Sequence, residues 1–204
     1  ENNKHLEQVI FSNALIKYQT QNPFTKVLND TKPTILLLKT IKLVNELSRR
    51  DSGLSIKEIP IFICWRDNDH ETLAQKIIQL RRDHGFNPSD ETILDICSNY
   101  LDGTKRAPNT LLGYAKDEVI RKMRLTGLFS IRGGGRFISI NQQQNDYIDY
   151  IFENYSDIIN FNSKDEFYNY ISIFDSSLAK LHSLYDKPTK SSEHDQLKWI
   201  DALG

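Results

Sequence analysis

Apolar residues recur every three or four positions over most of this chain, and every second position in one place only. Between Thr34 and Leu47, "TILLLKTIKLVNEL" sets Leu37, Ile41 and Val44 a helical turn apart, with Leu36, Leu43 and Leu47 broadening the face. A face that wide predicts a helix at the centre of the fold. A shorter helix precedes it over Leu6–Tyr18, and "RRDSG" ends it. "LSIKEIPIFIC" then reads as a short helix opened by a capping box, Ser55 with Glu58, and Pro60 falls where a missing N–H does little harm. "DNDHETLAQKIIQLRRDHG" is the third strong helix: Asp69 caps it, Leu73, Ile77, Ile78 and Leu80 form its apolar face, and Gly85 stops it. "NPSDETILDICSNYLDG" repeats that grammar, with Ser89 or Asp90 as cap and Gly103 as stop. After the loop "TKRAPN", Asn109 caps a fifth helix, "TLLGYAKDEVIRKMRLTG", with a stripe of Leu112, Ala115, Val119 and Met123. "QQQNDYIDYIFENYSDII" and "SKDEFYNYISIFDSSLAKLHSLYDK" are helical in period, and a polar tail follows from Pro188.

The exception is "MRLTGLFSIRGGGRFISIN", Met123 to Asn141. Here "LFSIR" and "RFISIN" alternate as two strands around Gly133–Gly135. A phosphate cradle needs a helix directly after its glycines, and a second strand stands there instead. A free hinge would not carry two clean strands. A hairpin tip is the reading with a mechanism, since glycines accept the positive φ of a tight turn and keep side chains off a partner surface. Helices running into a hairpin predict a mainly α chain, a winged helix-turn-helix-like domain with one β-hairpin plus C-terminal helices.

Charge sharpens this picture. The net charge is −1, but residues 1–99 carry 13 basic and 13 acidic side chains, residues 100–140 carry 8 and 3, and residues 141–204 carry 5 and 11. The positive block covers the fifth helix, its entry loop and the hairpin, and local field governs binding more than the sum does. Two solvated arginines at a hairpin tip are the plain alternative. Convergence of basic residues from loop, helix and hairpin favours duplex DNA over it. The expected docking contacts are Lys105, Lys116, Lys122, Arg132 and Arg136, with Arg106 at the helix entry and Gly134 at the tip. Asn109, Arg121 and Arg124 are the expected groove readers. A variant assignment makes the third helix the reader, through Arg81 and Arg82.

Other chemistry finds little support. The five histidines have no partner at metal-ligand spacing beyond Asp69-His70-Glu71, acids expected at a helix start. Cys64 and Cys97 lie among apolar residues and read as buried thiols of a reducing compartment. The aromatics of "DYIDYIFENY" and "DEFYNYISIF" sit in the acidic third and suit packing rather than base stacking. No run is long and apolar enough to span a bilayer and the N-terminus has no signal-peptide pattern, so a cytoplasmic location is expected.

Two segments, "GLSIKEIPIFICWRDNDHETLAQKIIQLRRDHG" and "DEVIRKMRLTGLFSIRGGGRFISINQQQNDYIDYI", resemble the DNA-recognition region of AlwI-type type IIS restriction endonucleases, a family that includes strand-nicking enzymes. Weaker similarity runs through "VIFSNALIKYQTQNPF". The resemblance implies sequence-specific recognition of double-stranded DNA by a module joined, in the parent chain, to a C-terminal nuclease domain that uses Mg²⁺. That nuclease's pattern is Pro-Asp followed by Asp/Glu-X-Lys. This chain has no Pro-Asp, and its lone Asp-X-Lys, Asp30-Thr31-Lys32, stands in an apparent loop. The expectation is therefore a recognition fragment with no catalytic residue, no metal site and no cofactor of its own. Residues 1–155 would form the recognition domain, and 156–204 an acidic extension toward the nuclease. The alternatives are a standalone winged-helix transcription regulator, which needs a symmetric site, and a winged-helix module for an acidic protein partner, which binds no duplex.

Overall fold

The computed structural model describes residues 2–25, 29–98, 111, 113 and 115–178, with side chains from residue 7 onward except 112 and 114–117. In chain order the elements are α1 (Asn2–Lys17), α2 (Pro33–Ser48), β1 (Leu54–Ser55), α3 (Ile59–Cys64), α4 (His70–His84) and α5 (Asp90–Ser98). A π-helical turn (Ala115–Ile120) then runs into α6 (Arg121–Leu125), followed by β2 (Phe129–Arg132) and β3 (Phe137–Ile140). A 3₁₀ turn (Gln142–Gln144) leads into α7 (Asn145–Tyr155), and α8 (Lys164–Ser172) follows. The chain is mainly helical with a small antiparallel sheet, the class its periodicity predicts.

The central helix lies where the widest apolar face put it. Leu37, Leu38, Ile41 and Val44 of α2 are fully buried, and α4 packs along it through Leu73, Ala74, Ile77 and Leu80. Each such side chain contributes roughly 1.5–3 kcal/mol of transfer free energy, so this two-helix seam is the stable centre of the molecule. The polar punctuation is also as expected. Asp69 accepts the Thr72 N–H at 2.9 Å, Ser89 Oγ accepts the Thr92 N–H at 3.1 Å, and Gly85 ends α4 at φ 70°.

Three local expectations need correction. The segment from Leu54 does not open as a helix. Leu54–Ser55 pair with β3 as a third strand, a turn follows, and α3 begins at Ile59. Only half of the capping box forms: Glu58 Oε2 accepts the Ser55 N–H at 2.7 Å, while the Ser55 hydroxyl makes no hydrogen bond. Pairing with the sheet holds Ser55 extended and takes its hydroxyl away from the helix start. The fifth helix is wound as a π-turn over Ala115–Ile120 before its last five residues become α-helical. Helix α7 stops at Tyr155, short of the "SDII" that its period suggested.

The sheet runs β1–β3–β2, all antiparallel, with Leu54 opposite Ile138 and Phe129 opposite Ile140. The chain enters β1 through Gly53, at φ 61°, where an added Cβ would stand 2.4 Å from the Ile138 carbonyl oxygen. Only glycine allows that approach.

Beneath this entry lies a buried ion pair. Arg81 of α4 meets Glu58 through two 2.7 Å hydrogen bonds, Nε to Oε1 and Nη2 to Oε2, with side chains 6% and 0% exposed. The guanidinium also donates to Ser52 Oγ at 2.9 Å and to the Gly53 carbonyl at 2.6 Å. Arg81 is thereby a structural residue, and the assignment of α4 as reader through Arg81 loses its leading side chain.

Residues 156–178 pack back on α1. Gln19 exchanges two hydrogen bonds with the Ile159 backbone, at 2.6 and 3.0 Å, Lys17 Nζ donates to the Ile173 carbonyl at 2.6 Å, and Phe24 stacks near Phe167. These contacts run across position 155.

Removing one member of a buried pair leaves the other charge without a partner, which costs about 3–5 kcal/mol. Arg81→Met is therefore expected to lower unfolding free energy in urea by that amount, and the exposed neighbour change Arg82→Met by less than about 0.5 kcal/mol. Equal, small losses from both would show that the pair does not hold β1 and α4 together.

Candidate nucleic-acid interface

The hairpin is fixed to α6 by its first residues and its last. Thr126 Oγ1 donates to the Met123 carbonyl at 2.6 Å and accepts the Leu128 N–H at 3.1 Å. Gly127, at φ 73°, turns the chain. Asn141 Nδ2 reaches back to the Gly127 carbonyl at 3.0 Å, and the Asn141 N–H to that of Leu128 at 2.9 Å. The "TG" and the closing "N" of "MRLTGLFSIRGGGRFISIN" thus join helix to hairpin.

At the far end, Gly133, Gly134 and Gly135 all take positive φ, 62°, 65° and 90°. Gly134 is exposed and has nothing within 4 Å of where a Cβ would stand, so the tip projects into solvent for lack of side chains rather than for lack of room. Arg136 is exposed and folds its Nε onto the Gly133 carbonyl at 2.9 Å. Arg132 is engaged at the base: its Nη2 donates to the Asp51 carbonyl at 2.9 Å and to Asp51 Oδ1 at 3.0 Å. That pair is half-exposed, so it orients Arg132 more than it stabilises the fold.

Asp51 is a meeting point. Its Oδ1 also accepts from Asn45 Nδ2 at 3.1 Å and Ser139 Oγ at 2.5 Å, and its Oδ2 from Gln142 Nε2 at 3.2 Å. The loop after α2, both sides of the hairpin and the start of the 3₁₀ turn converge on one carboxylate.

On the helix, Arg121 is exposed and Arg124 half-buried. Lys122 pairs with Glu118 one turn earlier, and that contact holds the Glu118 carboxyl below its usual range. Lys105, Arg106 and Asn109 lie outside the described residues, as does the side chain of Lys116. The structure therefore gathers Arg121, Lys122, Arg124, Arg132, Gly134 and Arg136 along one continuous helix–turn–hairpin unit. Arg50 was missed by the sequence reading. It follows Arg49, the left-handed C-cap of α2 at φ 51°, and with Phe86, Phe137 and Arg132 it lines a shallow groove beside the hairpin base. The run "RRD" was read as a helix stop, and only the β1–β3 pairing brings it to the hairpin.

The other group of basic residues is buried. Lys32 is 1% exposed and donates to the Tyr155 carbonyl at 2.7 Å, and Lys17 is 4% exposed. Tyr170 lies 5.4 Å from Lys17 Nζ and 5.9 Å from Lys32 Nζ. Nearby, Tyr155 donates to Asp175. Burial pushes Lys32 down to about 8, with Asp157 opposing, and lowers Lys17 against the pull of Asp175. Burial raises the Asp175 carboxyl, but the Tyr155 hydroxyl and the Ser177 and Leu178 N–H groups outweigh it, and the net shift is downward. Burial also raises Tyr147 to about 12, and burial with the Asp175 contact raises Tyr155 further.

This burial bears on the lone Asp30-Thr31-Lys32. A lysine assisting a metal-held phosphate must reach it, and Lys32 is enclosed against a backbone carbonyl. Among the described residues no group of three or more His, Cys, Asp or Glu side chains is placed to hold a metal ion. These residues do not fit a Mg²⁺ site. Cys64 and Cys97 are buried, unbridged thiols, and a hydrogen bond with Cys64, together with burial, pushes the Cys97 thiol up. Among the described residues no helix is long and apolar enough to cross a membrane.

Among the described residues, a mainly helical body carries a small antiparallel sheet and an exposed helix–hairpin unit with several basic side chains. The chain belongs to the AlwI restriction endonuclease family, whose model matches residues 1–191. The family is one of restriction enzymes, which act on DNA. No curated protein matches the sequence.

The buried lysine predicts a pH signature. Lys32 releases its proton near pH 8 when folded and near 10.5 when unfolded, so the unfolded chain holds more protons between those values and stability rises with pH there. Above pH 10 the unfolded tyrosines ionise before Tyr147 and Tyr155, and the trend reverses. Between pH 8 and 10 the unaltered protein should gain stability over Lys32→Met by on the order of 2–3 kcal/mol in urea unfolding. A difference constant across that range would contradict burial of the ammonium group.

Proposed function

We propose that this chain is the DNA-recognition part of a type IIS restriction or nicking endonuclease, binding a short asymmetric duplex site without cutting it. The observation that carries the reading is the solvent-projecting glycine tip, flanked by Arg132 and Arg136 and fed by the helix that bears Arg121. A short strand between α2 and the helices that lead into the hairpin, pairing with the second hairpin strand, is the sheet order of a winged helix, and it supports that architecture. In this reading the hairpin is the wing. Arg136 and Lys122 lie toward phosphates, and Arg121 and Arg124 toward base edges in the groove, where arginine forms paired hydrogen bonds to guanine. Lys105, Arg106, Asn109 and Lys116 remain expected DNA contacts from the sequence. Cleavage belongs to a nuclease domain of the same parent chain, and Mg²⁺ to that domain. The poor fit of Asp30-Thr31-Lys32 to a metal site supports this division.

Selection of retained DNA from a randomised duplex pool, followed by fluorescence anisotropy, tests the proposal. One short non-palindromic motif is expected. Arg121→Ala should relax its preference at one position, at a cost of about 1–3 kcal/mol. Arg136→Ala should weaken all sequences alike. A palindromic motif would favour a regulator acting as a dimer, and absence of duplex binding at low salt would leave the basic surface to a protein partner.

A further inference from the structure

Beside the hairpin base lies a groove that shares only Arg132 with the contacts read from the sequence. It is lined by Arg50, Asp51, Ser52, Phe86, Arg132 and Phe137. Its floor is aromatic: Phe86 meets Phe137 edge to face, with ring centres 6.2 Å apart. The Arg50 guanidinium lies 5.1 Å from the Phe86 ring centre on the outside, and that of Arg81 lies 4.7 Å from it on the buried side. Phe86 is thereby flanked by two cations. One is neutralised by Glu58, and the other is exposed with no carboxylate paired to it among the described residues.

Among the described residues, Asp51 is the sole acid on the groove. Four side chains donate to it, from Asn45, Arg132, Ser139 and Gln142. With Arg50 and Arg132 set against the one Asp51 carboxylate, the groove keeps net positive character. The Asp51 contact also fixes where Arg132 points. A ring holding a guanidinium in place lowers the cost of ordering it on a ligand.

We infer that this groove receives a phosphodiester of the duplex backbone, with Arg50 as its principal donor, Arg132 as the second, and the Phe86–Phe137 floor against the adjoining deoxyribose. Asp51 acts as a positioning residue for Arg132. The inference rests on the DNA reading above and extends its surface from the hairpin to the loop after α2. An apolar floor with two arginines at its rim matches a sugar–phosphate unit in charge and in shape. A phosphate contact carries no sequence information of its own.

The test uses the whole chain and a duplex of the selected sequence, beside one of unrelated sequence. Arg50→Gln keeps the aliphatic stem over Phe86 and removes the charge, and thermal unfolding of the variant checks that the fold is retained. Affinity for both duplexes should fall alike by about tenfold, and the slope of log affinity against log salt should shrink by about one. Asp51→Asn, which loosens Arg132, should weaken both duplexes less than Arg50→Gln does. Duplex binding that is unchanged by Arg50→Gln, within twofold, overturns this inference and leaves the DNA reading standing. A loss confined to the selected sequence makes Arg50 a base contact and overturns the phosphodiester assignment. Absence of duplex binding by the unaltered protein overturns both readings.

Discussion

Much of the exposed geometry depends on one buried contact, the fork of Arg81 on Glu58. Glu58 is fully buried and Arg81 nearly so, so each needs the other, and their mutual orientation is fixed by two parallel hydrogen bonds. Arg81 spends its remaining donors on Ser52 and the Gly53 carbonyl, and Glu58 takes the Ser55 N–H. The two residues between those points, Leu54 and Ser55, are β1. Since β1 pairs with β3, the pair deep under α4 sets the position of the hairpin. An apolar substitute would pack in that space, but it would not hold the Ser52 hydroxyl, the Gly53 carbonyl and the Ser55 N–H at the mouth of a strand.

The same economy separates two kinds of cation. Lys17, Lys32 and Arg81 are enclosed and hold pieces of the chain together: Lys17 binds the backbone after α8, Lys32 the end of α7, and Arg81 the entry to the sheet. Arg49, Arg50, Arg121 and Arg136 are exposed, at the C-cap of α2 or on the helix–hairpin unit. A count of basic residues by sequence segment mixes these classes. Arg121, Lys122, Arg132 and Arg136 of the positive block lie exposed, whereas Lys17, Lys32 and Arg81 of the first hundred residues are internal.

Legibility in the sequence followed the range of the forces involved. Helices α2 and α4 were readable because their apolar spacing, Asp69 cap and Gly85 stop are local and agree with one another. The hairpin was readable because Gly133–Gly135 break two alternating runs. Strand β1 was not: two residues carry no period, and Ser55 with Glu58 mimics a helix start. The mimicry was half right, since Glu58 does reach back to Ser55, yet the Gly53 approach to Ile138 holds Ser55 extended. Burial of Lys32 was illegible for a similar reason. Its environment is assembled from Tyr155, Asp157 and Tyr170, more than a hundred residues away. Arg50 went unnoticed because a loop residue gains a role only through what folds beside it.

Hydrogen exchange of the backbone amides, with and without the selected duplex, tests the central claim most directly. The account predicts slowed exchange at residues 49–53 and 121–137, the loop after α2 and the helix–hairpin unit, with little change where residues 157–178 pack on α1. Slowing confined to that C-terminal face, with the hairpin unaffected, would contradict it.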